Sequence, residues 1–265
     1  MVIMVRLVLD LKKSIEENAS DYFEKAKKIK KKLKGADIAL KQNLKKLKEM
    51  ESKKEKSDAK EEQLKKIPER KKEWYEKFRW FFSSDGFLVL GGRDATSNEI
   101  VVKKHTDKND LVLHTDMAGS PFFVIKSGNK KIPESTIEEA ADAVCTFSRA
   151  WKLGLQTSDV FYVTPDQVSK KTKAGEYMGR GAFMIYGKTN YINNKINLAI
   201  GITKENAVMS GPVEAIKKNC EKYLILNQGD EKVSSIAKKI SYKLGPGLDL
   251  DEIIRALPAG NFKLQ

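Results

Sequence analysis

The hydrophobic positions in the first third of the chain recur at helical spacing. A seam of apolar residues separated by three or four positions is typical of a coiled coil and comprises Tyr22, Ala26, Ile29, Leu33, Ala36, Leu40, Leu44 and Leu47. Residues 51–58 (ESKKEKSD) have no apolar side chain, which predicts a turn. Helix is expected again from about Ala59 to Phe82. The pattern therefore predicts a long antiparallel coiled-coil hairpin.

The pattern changes in the stretch 74–99, WYEKFRWFFSSDGFLVLGGRDATSNE, which is rich in aromatic residues. Trp74, Phe78 and Trp80 precede a Ser-Ser-Asp-Gly break, and a short apolar run follows it. Aromatic residues concentrated at such a point supply a large apolar area. We therefore expect these three side chains to pack into a globular domain at the end of the second helix.

Beyond residue 86, short β-type runs alternate with glycine-containing turns. They predict strands at 87–90, 100–102, 111–114, 122–126, 160–163, 183–186, 198–200, 207–209 and 223–226. Helices are expected at 135–154, with a capping box of Ser135 and Glu138, and at 212–220, 232–243 and 250–256. The predicted fold class is α+β, a coiled-coil hairpin followed by a mixed α/β globular domain. The expected domains are 1–82, 83–202 and a C-terminal α/β extension, 203–265.

The charge of the chain is positive and uneven. The formal net charge is +14, and residues 1–80 hold 25 Lys and Arg against 15 Asp and Glu. Seven lysines occupy the ten positions from Lys25 to Lys34. Concentrated positive charge favours a polyanionic partner such as nucleic acid. The alternative is a solvated helix with salt bridges, whose lysine stems cover the coiled-coil seam.

The remaining composition indicates a cytoplasmic protein. Cys145 and Cys220 lie far apart in apolar helical contexts, which is typical of reduced core cysteines. There is no CxxC pair, so we expect no structural zinc site, and no cofactor motif was found. No apolar run is long enough to span a membrane, and the first five residues are too short for a signal sequence.

Three sets of residues could bind an anion or carry chemistry. Gly-Gly-Arg93-Asp94 and Gly-Arg180-Gly let backbone amides and an arginine approach a phosphate, although each could be a simple tight turn. His114 and Asp116 could bind a metal, act as acid and base, or hydrogen-bond a ribose or phosphate. The basic loop with Lys170, Lys171, Glu176 and Arg180 combines charge with the ring of Tyr177, as RNA-binding surfaces do. It could equally be a mobile basic loop.

Three blocks in order resemble a known family. They are WYEKFRWFFSSDGFLVLGGRDATSNE, HTDMAGSPFFVIK with the following IPESTIEEAADAVCTFSRAW, and TPDQVSKKTKAGEYMGRGAFMIYGKTNY. Together they resemble the NFACT-R domain and its preceding coiled coil, found in ribosome-associated quality-control factors of the RqcH/NEMF type. The resemblance covers about residues 18–191. Ala118 stands where the family has a second histidine in its H-x-D-x-H-G motif.

The resemblance implies RNA binding without catalysis. The implied RNA is rRNA and tRNA on stalled large ribosomal subunits, and the chain would be the C-terminal half of such a factor. The missing N-terminal NFACT-N half would then be a partner. The expected RNA-binding residues are Arg93, Asp94, Asn98, His114, Asp116, Gly119, Lys126, Gln167, Ser169, Lys170, Lys171, Glu176 and Arg180.

Two other functions fit the same residues. A metal-dependent hydrolase of nucleic acids would use His114 and Asp116 as ligands. A coiled-coil adaptor would bind protein only. The hairpin arms are unequal, so we also expect Leu7, Leu11 and Ile15 to be exposed, which favours self-association through the start of the first helix.

Overall fold

The computed structural model describes residues 7–64, 70–170, 178–245 and 248–265, with the backbone alone at 49 and 51–64. The chain forms two compact units, the first ending at Ile67 and the second beginning at Pro68. The second unit combines helices with antiparallel sheets, so the predicted α+β class is confirmed. The predicted domain boundaries at 82/83 and 202/203 stay predictions.

The first unit consists of one long helix, α1 (Ile15–Leu64). It begins at Ser14, whose Oγ accepts a hydrogen bond from the Glu17 amide at 3.1 Å, while the Glu17 carboxylate accepts one from the Ser14 amide at 2.8 Å. This reciprocal pair satisfies two amides that the helix cannot. The predicted turn at 51–58 is wrong, and so is the antiparallel hairpin built on it, because α1 continues through these residues to Leu64. That stretch has no Gly or Pro to end a helix, and its Lys and Glu residues favour one.

The apolar seam of α1 is exposed on this unit, with Leu33 and Leu40 at 63% and 59% of their full exposure. The lysines between 25 and 34 are exposed as well. At the start of the unit Leu7, Leu11 and Ile15 are exposed as expected. Self-association through these residues stays a prediction.

The second unit contains twelve short strands among the described residues. They are β1 (Arg79–Phe82), β2 (Leu88–Gly91), β3 (Leu111–Thr115), β4 (Phe123–Ile125), β5 (Val160–Val163), β6 (Val168–Ser169), β7 (Met184–Ile185), β8 (Asn190–Ile192), β9 (Leu198–Ile202), β10 (Val208–Gly211), β11 (Lys222–Lys232) and β12 (Asn261–Leu264). A six-stranded sheet has the order β1-β2-β4-β3-β5-β8, and a four-stranded sheet has the order β10-β9-β11-β12. The strands β6 and β7 form a separate pair.

The helices of the second unit pack on these sheets. They are α2 (Ala95–Lys104), α3 (Glu134–Phe147), α4 (Arg149–Leu153), α5 (Val213–Asn219), α6 (Val233–Leu244) and α7 (Leu250–Ala256). The helix α3 covers the middle of the six-stranded sheet and buries ten of its residues. Both cysteines, Cys145 and Cys220, are buried and free, as predicted. None of the helices in the described ranges is long and apolar enough to cross a membrane.

The structure corrects the expected helix through Phe82. Residues 74–77 form a single 3-10 turn, and Arg79–Phe82 is strand β1, paired with β2. Trp80 and Phe81 are adjacent and both buried. Neighbouring side chains on a strand point to opposite faces, so β1 can bury both between two layers, and a surface helix could not.

The expected strand at 100–102 is also wrong, because these residues belong to α2. The β-branched run Ile-Val-Val favours a strand locally. Asp94 overrides it by accepting a hydrogen bond from the Ser97 amide at 2.7 Å, which starts a helix. The predicted capping box at Ser135 is wrong as well: α3 starts after Pro133, and Ser135 Oγ instead donates to Asp85 at 2.6 Å.

The junction aromatics divide into two kinds. Phe78 and Trp80 are 1% and 7% exposed, so their predicted packing is confirmed. Trp74 is 46% exposed, so for this residue the prediction is wrong. Its ring stacks on His105 with the ring centroids 4.7 Å apart.

We expect Phe78→Ala to lower the free energy of unfolding by about 3–5 kcal/mol, because it empties a buried aromatic site. Trp74→Ala should cost only about 0.5–1.5 kcal/mol, which is the scale of one exposed aromatic pair. Urea denaturation followed by circular dichroism measures both. Equal losses for the two variants would contradict the difference in their burial.

Candidate nucleic-acid interface

One cleft of about 580 Å³ gathers residues from seven separate parts of the second unit, two of which are the strands β1 and β3. The start of α2 forms one wall, and the loop before β4 lies beside it. The cleft is completed by the end of α3 together with α4, by the hairpin leading into β7, and by the segment after α7. The polar and glycine residues of its lining include Arg79, Arg93, Asp94, Asn98, His114, Gly119, Ser120, Arg149, Lys152, Arg180 and Gly181.

Arg79 places a guanidinium in this cleft from the core strand β1. Its Nη1 donates to the carbonyl oxygen of Leu257 at 3.0 Å, and its guanidinium carbon lies 4.6 Å from the ring centre of Phe147. No salt bridge joins it to a carboxylate among the described residues. Burial, and secondly repulsion from Arg93, lowers the pKa of Arg79 to about 10. The side chain therefore remains charged at neutral pH.

Arg93 is the second partly buried arginine of the cleft. Its Nη2 donates to the carbonyl oxygen of Glu76 at 3.1 Å, whereas its Nε is buried and has no hydrogen-bond partner. Burial lowers the pKa of Arg93, and the nearby Arg255 lowers it further. An unpartnered N–H in a buried guanidinium is costly, which makes an added acceptor favourable there.

Asn98 and Gly92 hold the loops around Arg93 in place. Asn98 is buried, and its Oδ1 accepts a hydrogen bond from the Phe122 amide at 3.1 Å. A side chain at Gly92 would put its Cβ 1.8 Å from that oxygen, so glycine is needed for the close approach. The Gly92 amide donates to the carbonyl oxygen of Phe122 at 3.1 Å. These contacts tie the start of α2 to the loop before β4.

His114 lies at the edge of the cleft as a partly buried, neutral side chain. Its Nε2 is 3.2 Å from the carbonyl oxygen of Ser120, which can only accept, so we assign the proton to Nε2. The ring stacks on Phe122 with centroids 3.9 Å apart. Burial lowers the pKa of His114. In the ranges that the structure describes, no group of three or more His, Cys, Asp or Glu is arranged to hold a metal.

Three exposed cations surround the mouth of the cleft: Arg149 and Lys152 from α4, and Arg180 from the hairpin before β7. Gly181, next to Arg180, has φ +79°, and a Cβ there would meet the carbonyl oxygen of Ala95 at 2.5 Å. Glycine therefore lets this hairpin touch α2. The Gly181 amide donates to Glu99 at 3.2 Å and fixes the contact.

The cleft brings together six of the expected RNA-binding residues, namely Arg93, Asp94, Asn98, His114, Gly119 and Arg180. Five others described by the structure lie outside it: Asp116, Lys126, Gln167, Ser169 and Lys170. Lys171 and Glu176 lie outside the described residues. The assignment of all these residues to RNA binding stays a prediction.

Several of the residues outside the cleft already have partners in the fold. The Lys126 ammonium contacts Asp110, Asp107 Oδ2 at 2.7 Å and the carbonyl oxygen of His105 at 2.9 Å. Asp116 accepts a hydrogen bond from the Tyr191 hydroxyl at 2.9 Å. The Gln167 amide donates to the carbonyl oxygens of residues 186 and 188 at 2.8 and 2.9 Å.

Lys170 lies in a neighbouring groove. Its ammonium is 3.3 Å from Glu99 and donates to the carbonyl oxygen of Gly179 at 3.1 Å. It also lies 4.9 Å from the ring centre of Phe183. Lys170 shares that groove with Lys103 and Phe183, whereas Arg93 and Arg180 line the cleft. Lys170 therefore does not line the cleft that holds these two arginines.

Sequence reasoning missed Arg79, Ser120, Arg149 and Lys152. A signal existed for two of them: in Arg149-Ala-Trp151-Lys152 the cations are three positions apart, which puts them on one face of a helical turn. Ala150 and Trp151 between them are buried. No local signal pointed to Arg79, because it follows an aromatic residue in what resembles a core segment.

Comparisons with known proteins identify the family of the domain that holds most of the cleft. Residues 77–187 match the model of the NFACT protein RNA binding domain. The archaeal Rqc2 homolog aRqcH of Methanocaldococcus jannaschii is 38% identical over 207 residues, covering 76% of this chain and 31% of that protein. The ribosome quality control complex subunit NEMF of Mus musculus is 42% identical over 124 residues, covering 46% of this chain and 12% of that protein.

A solved structure gives a weaker likeness. The C-terminal part of the fibronectin/fibrinogen-binding protein from Streptococcus suis aligns at 20% identity and a TM-score of 0.38, covering 48% of this chain and 47% of that one. That similarity is too low to support an argument.

The matched segment gives the class of protein: residues 77–187 correspond to the NFACT protein RNA binding domain. The chain belongs to the NFACT family, as its motifs predicted. It spans about a third of the archaeal relative's length and about an eighth of the mouse one.

The two histidines of the chain predict how its stability depends on pH. Burial is the main cause that lowers the pKa of both His114 and His105. The unfolded chain therefore binds more protons than the folded one just below the ordinary histidine pKa of about 6.5. We expect the free energy of unfolding to decrease as the pH falls from about 7 to about 5, as measured by urea denaturation.

The matched variant is His114→Gln with His105→Gln, since a glutamine amide can replace the Nε2 donor of the imidazole. Glu139 and Asp142, whose pKa values burial raises, titrate in both proteins. The difference between wild type and variant therefore isolates the histidines. An identical pH dependence in the two proteins would contradict the lowered histidine pKa values.

Proposed function

We propose that this chain binds RNA through the cleft as part of ribosome quality control. The single observation that carries the proposal is the charge of the cleft. Its described lining contains five cations, Arg79, Arg93, Arg149, Lys152 and Arg180, against one carboxylate, that of Asp94. Asp94 is occupied at the start of α2, where its carboxylate accepts from the Ser97 amide. The excess charge is therefore left for an external anion.

The relatives support the biological setting of this proposal. One is named a ribosome quality control complex subunit and another an Rqc2 homolog. We propose the same role for this chain, with rRNA and tRNA on stalled large ribosomal subunits as the RNA. An N-terminal NFACT-N half is the proposed protein partner, and the proposed location is the cytoplasm, where such ribosomes occur.

The proposed role is binding without catalysis. His114 is neutral and already donates to the Ser120 carbonyl oxygen, and Asp116 accepts from the Tyr191 hydroxyl outside the cleft. Catalysis by an acid and a base needs both groups within reach of one substrate atom. These two side chains do not share the cleft.

Salt dependence tests the interface. If each of the three exposed cations neutralises one phosphate of single-stranded RNA and the two buried arginines share a fourth, the logarithm of the association constant should fall against the logarithm of salt concentration with a slope of about −2.8. The double variant Arg149→Gln, Lys152→Gln should reduce that slope by about 1.4, because two phosphate contacts are lost. Fluorescence anisotropy with a labelled oligouridine across a salt series measures both slopes.

The matched control is Lys238→Gln with Lys243→Gln, which removes the same charge from exposed positions of α6 outside the cleft. Its slope should equal that of wild type. A slope that is unchanged in the α4 variant, but falls when lysines between 25 and 34 are replaced, would move the RNA contact to α1. Absence of RNA binding by the wild-type chain would overturn the proposed function.

A further inference from the structure

Buried side-chain atoms without a hydrogen-bond partner are concentrated in the cleft. Among the described residues there are three: Arg93 Nε, Ser120 Oγ and Ser158 Oγ. Two of these, Arg93 Nε and Ser120 Oγ, belong to residues that line this one cleft. Such groups are uncommon in native proteins because each costs its full desolvation, so their co-occurrence at one cavity needs an explanation.

The two unpartnered groups are held in place by other contacts. Ser120 is 4% exposed, and its carbonyl oxygen accepts from His114 Nε2. Arg93 is anchored by its Nη2 bond to the Glu76 carbonyl oxygen. The Gly92 and Asn98 bonds to Phe122 tie the two loops together. The donors are therefore positioned before any ligand arrives, which lowers the ordering cost of binding.

Arg79 adds fixed positive charge beside these donors. Within the described ranges it has one protein acceptor, the Leu257 carbonyl oxygen, and a guanidinium carries five N–H groups. A hydroxyl, a guanidinium Nε and a second guanidinium together suit the oxygens of a phosphate group, which accepts several short charge-assisted hydrogen bonds.

We propose that the cleft captures one phosphate of an unpaired RNA segment, held by the Ser120 hydroxyl and the guanidinium groups of Arg93 and Arg79. This inference rests on the proposed RNA-binding function and adds which structural form of RNA the site accepts. The three exposed cations at the mouth, Arg149, Lys152 and Arg180, contact neighbouring phosphates. They do not distinguish an unpaired strand from a duplex.

The depth of the donors is the reason for requiring an unpaired strand. Ser120 Oγ and Arg93 Nε are both closed to solvent in the free protein, so a phosphate must enter the cleft and displace the side-chain atoms over them to reach them. The phosphates of an A-form duplex lie on a stiff, convex surface that contacts proteins across its shallow minor groove. A single strand can bend and push one phosphate inward, as in the grooves that bind single-stranded nucleic acid.

The C-terminal segment takes part in the same site. The Leu257 carbonyl oxygen holds Arg79, and Ala259 lines the cleft. Ser210 Oγ donates to the Ala256 carbonyl oxygen at 2.5 Å, which fixes the end of α7 against the four-stranded sheet. Residues 257–259 therefore complete a cleft whose other walls lie within the matched segment 77–187.

The test compares three RNA ligands and three variants of the full chain. The ligands are an unstructured oligouridine of about 12 nucleotides, with and without a 5′-phosphate, and a blunt RNA duplex of similar length. The variants are Ser120→Ala, Arg93→Gln and, as the matched control, Ser158→Ala. Ser158 also has a buried hydroxyl, which lies beside the Cys145 thiol and does not line the cleft.

We expect Ser120→Ala to weaken oligouridine binding about tenfold, the scale of one lost hydrogen bond to a charged group. Arg93→Gln should weaken it at least as much. Ser158→Ala should leave it unchanged. The melting temperature of free Ser120→Ala should equal or exceed that of wild type, because the hydroxyl has no partner to lose. Weak duplex binding should be insensitive to Ser120→Ala.

The outcomes separate this inference from the proposed function. If wild type binds neither RNA, both fail. If wild type binds oligouridine and Ser120→Ala and Arg93→Gln bind it equally well, the RNA-binding function stands and the phosphate site is overturned. A duplex that binds as tightly as oligouridine, with the same sensitivity to Ser120→Ala, would overturn the requirement for an unpaired strand. A tighter complex with the 5′-phosphorylated strand supports capture of a terminal phosphate, and equal affinity supports an internal one.

Discussion

The architecture of the second unit depends on how the Arg79 guanidinium is buried. A charge inside a protein is costly unless polar groups face it. Here the Leu257 carbonyl oxygen and the ring of Phe147 provide those contacts. One side chain thereby joins the first strand of the six-stranded sheet, the end of α3 and the segment after α7. The same burial leaves unneutralised positive charge at the floor of the cleft, so the stability of the domain and its affinity for anions share one cause.

Most of the regular elements could be predicted, because their patterns are local. The strands at 111–115 and 160–163 are short apolar runs between turns, and Gly154 ends α4 with φ +73° as its position suggested. The errors have a common origin. At 100–102 the β-branched residues favour a strand, but the Asp94 cap decides for helix. At 79–82 the aromatic spacing fits a helix, but burial between two layers requires a strand.

The site was predicted in part for the same reason. Arg93, Asn98, His114 and Arg180 stand beside glycines or polar turns, where sequence alone indicates an exposed functional group. Ser120 and Arg79 could not be recognised, since their importance comes from missing or distant partners. Lys126 shows the converse case: its acidic partners Asp107 and Asp110 are sixteen or more positions away. Pairing between distant residues is not visible in a local charge pattern.

The continuity of α1 has a mechanical consequence. At 1.5 Å per residue, its 50 residues form a rod about 75 Å long. Two contacts made near its ends would therefore be held at a fixed distance from each other. The helix is locally least stable at Gly35, because glycine weakens a helix by about 1 kcal/mol relative to alanine. A Cβ at Gly35 would meet nothing within 4 Å, so alanine there would stiffen the rod without disturbing any packing.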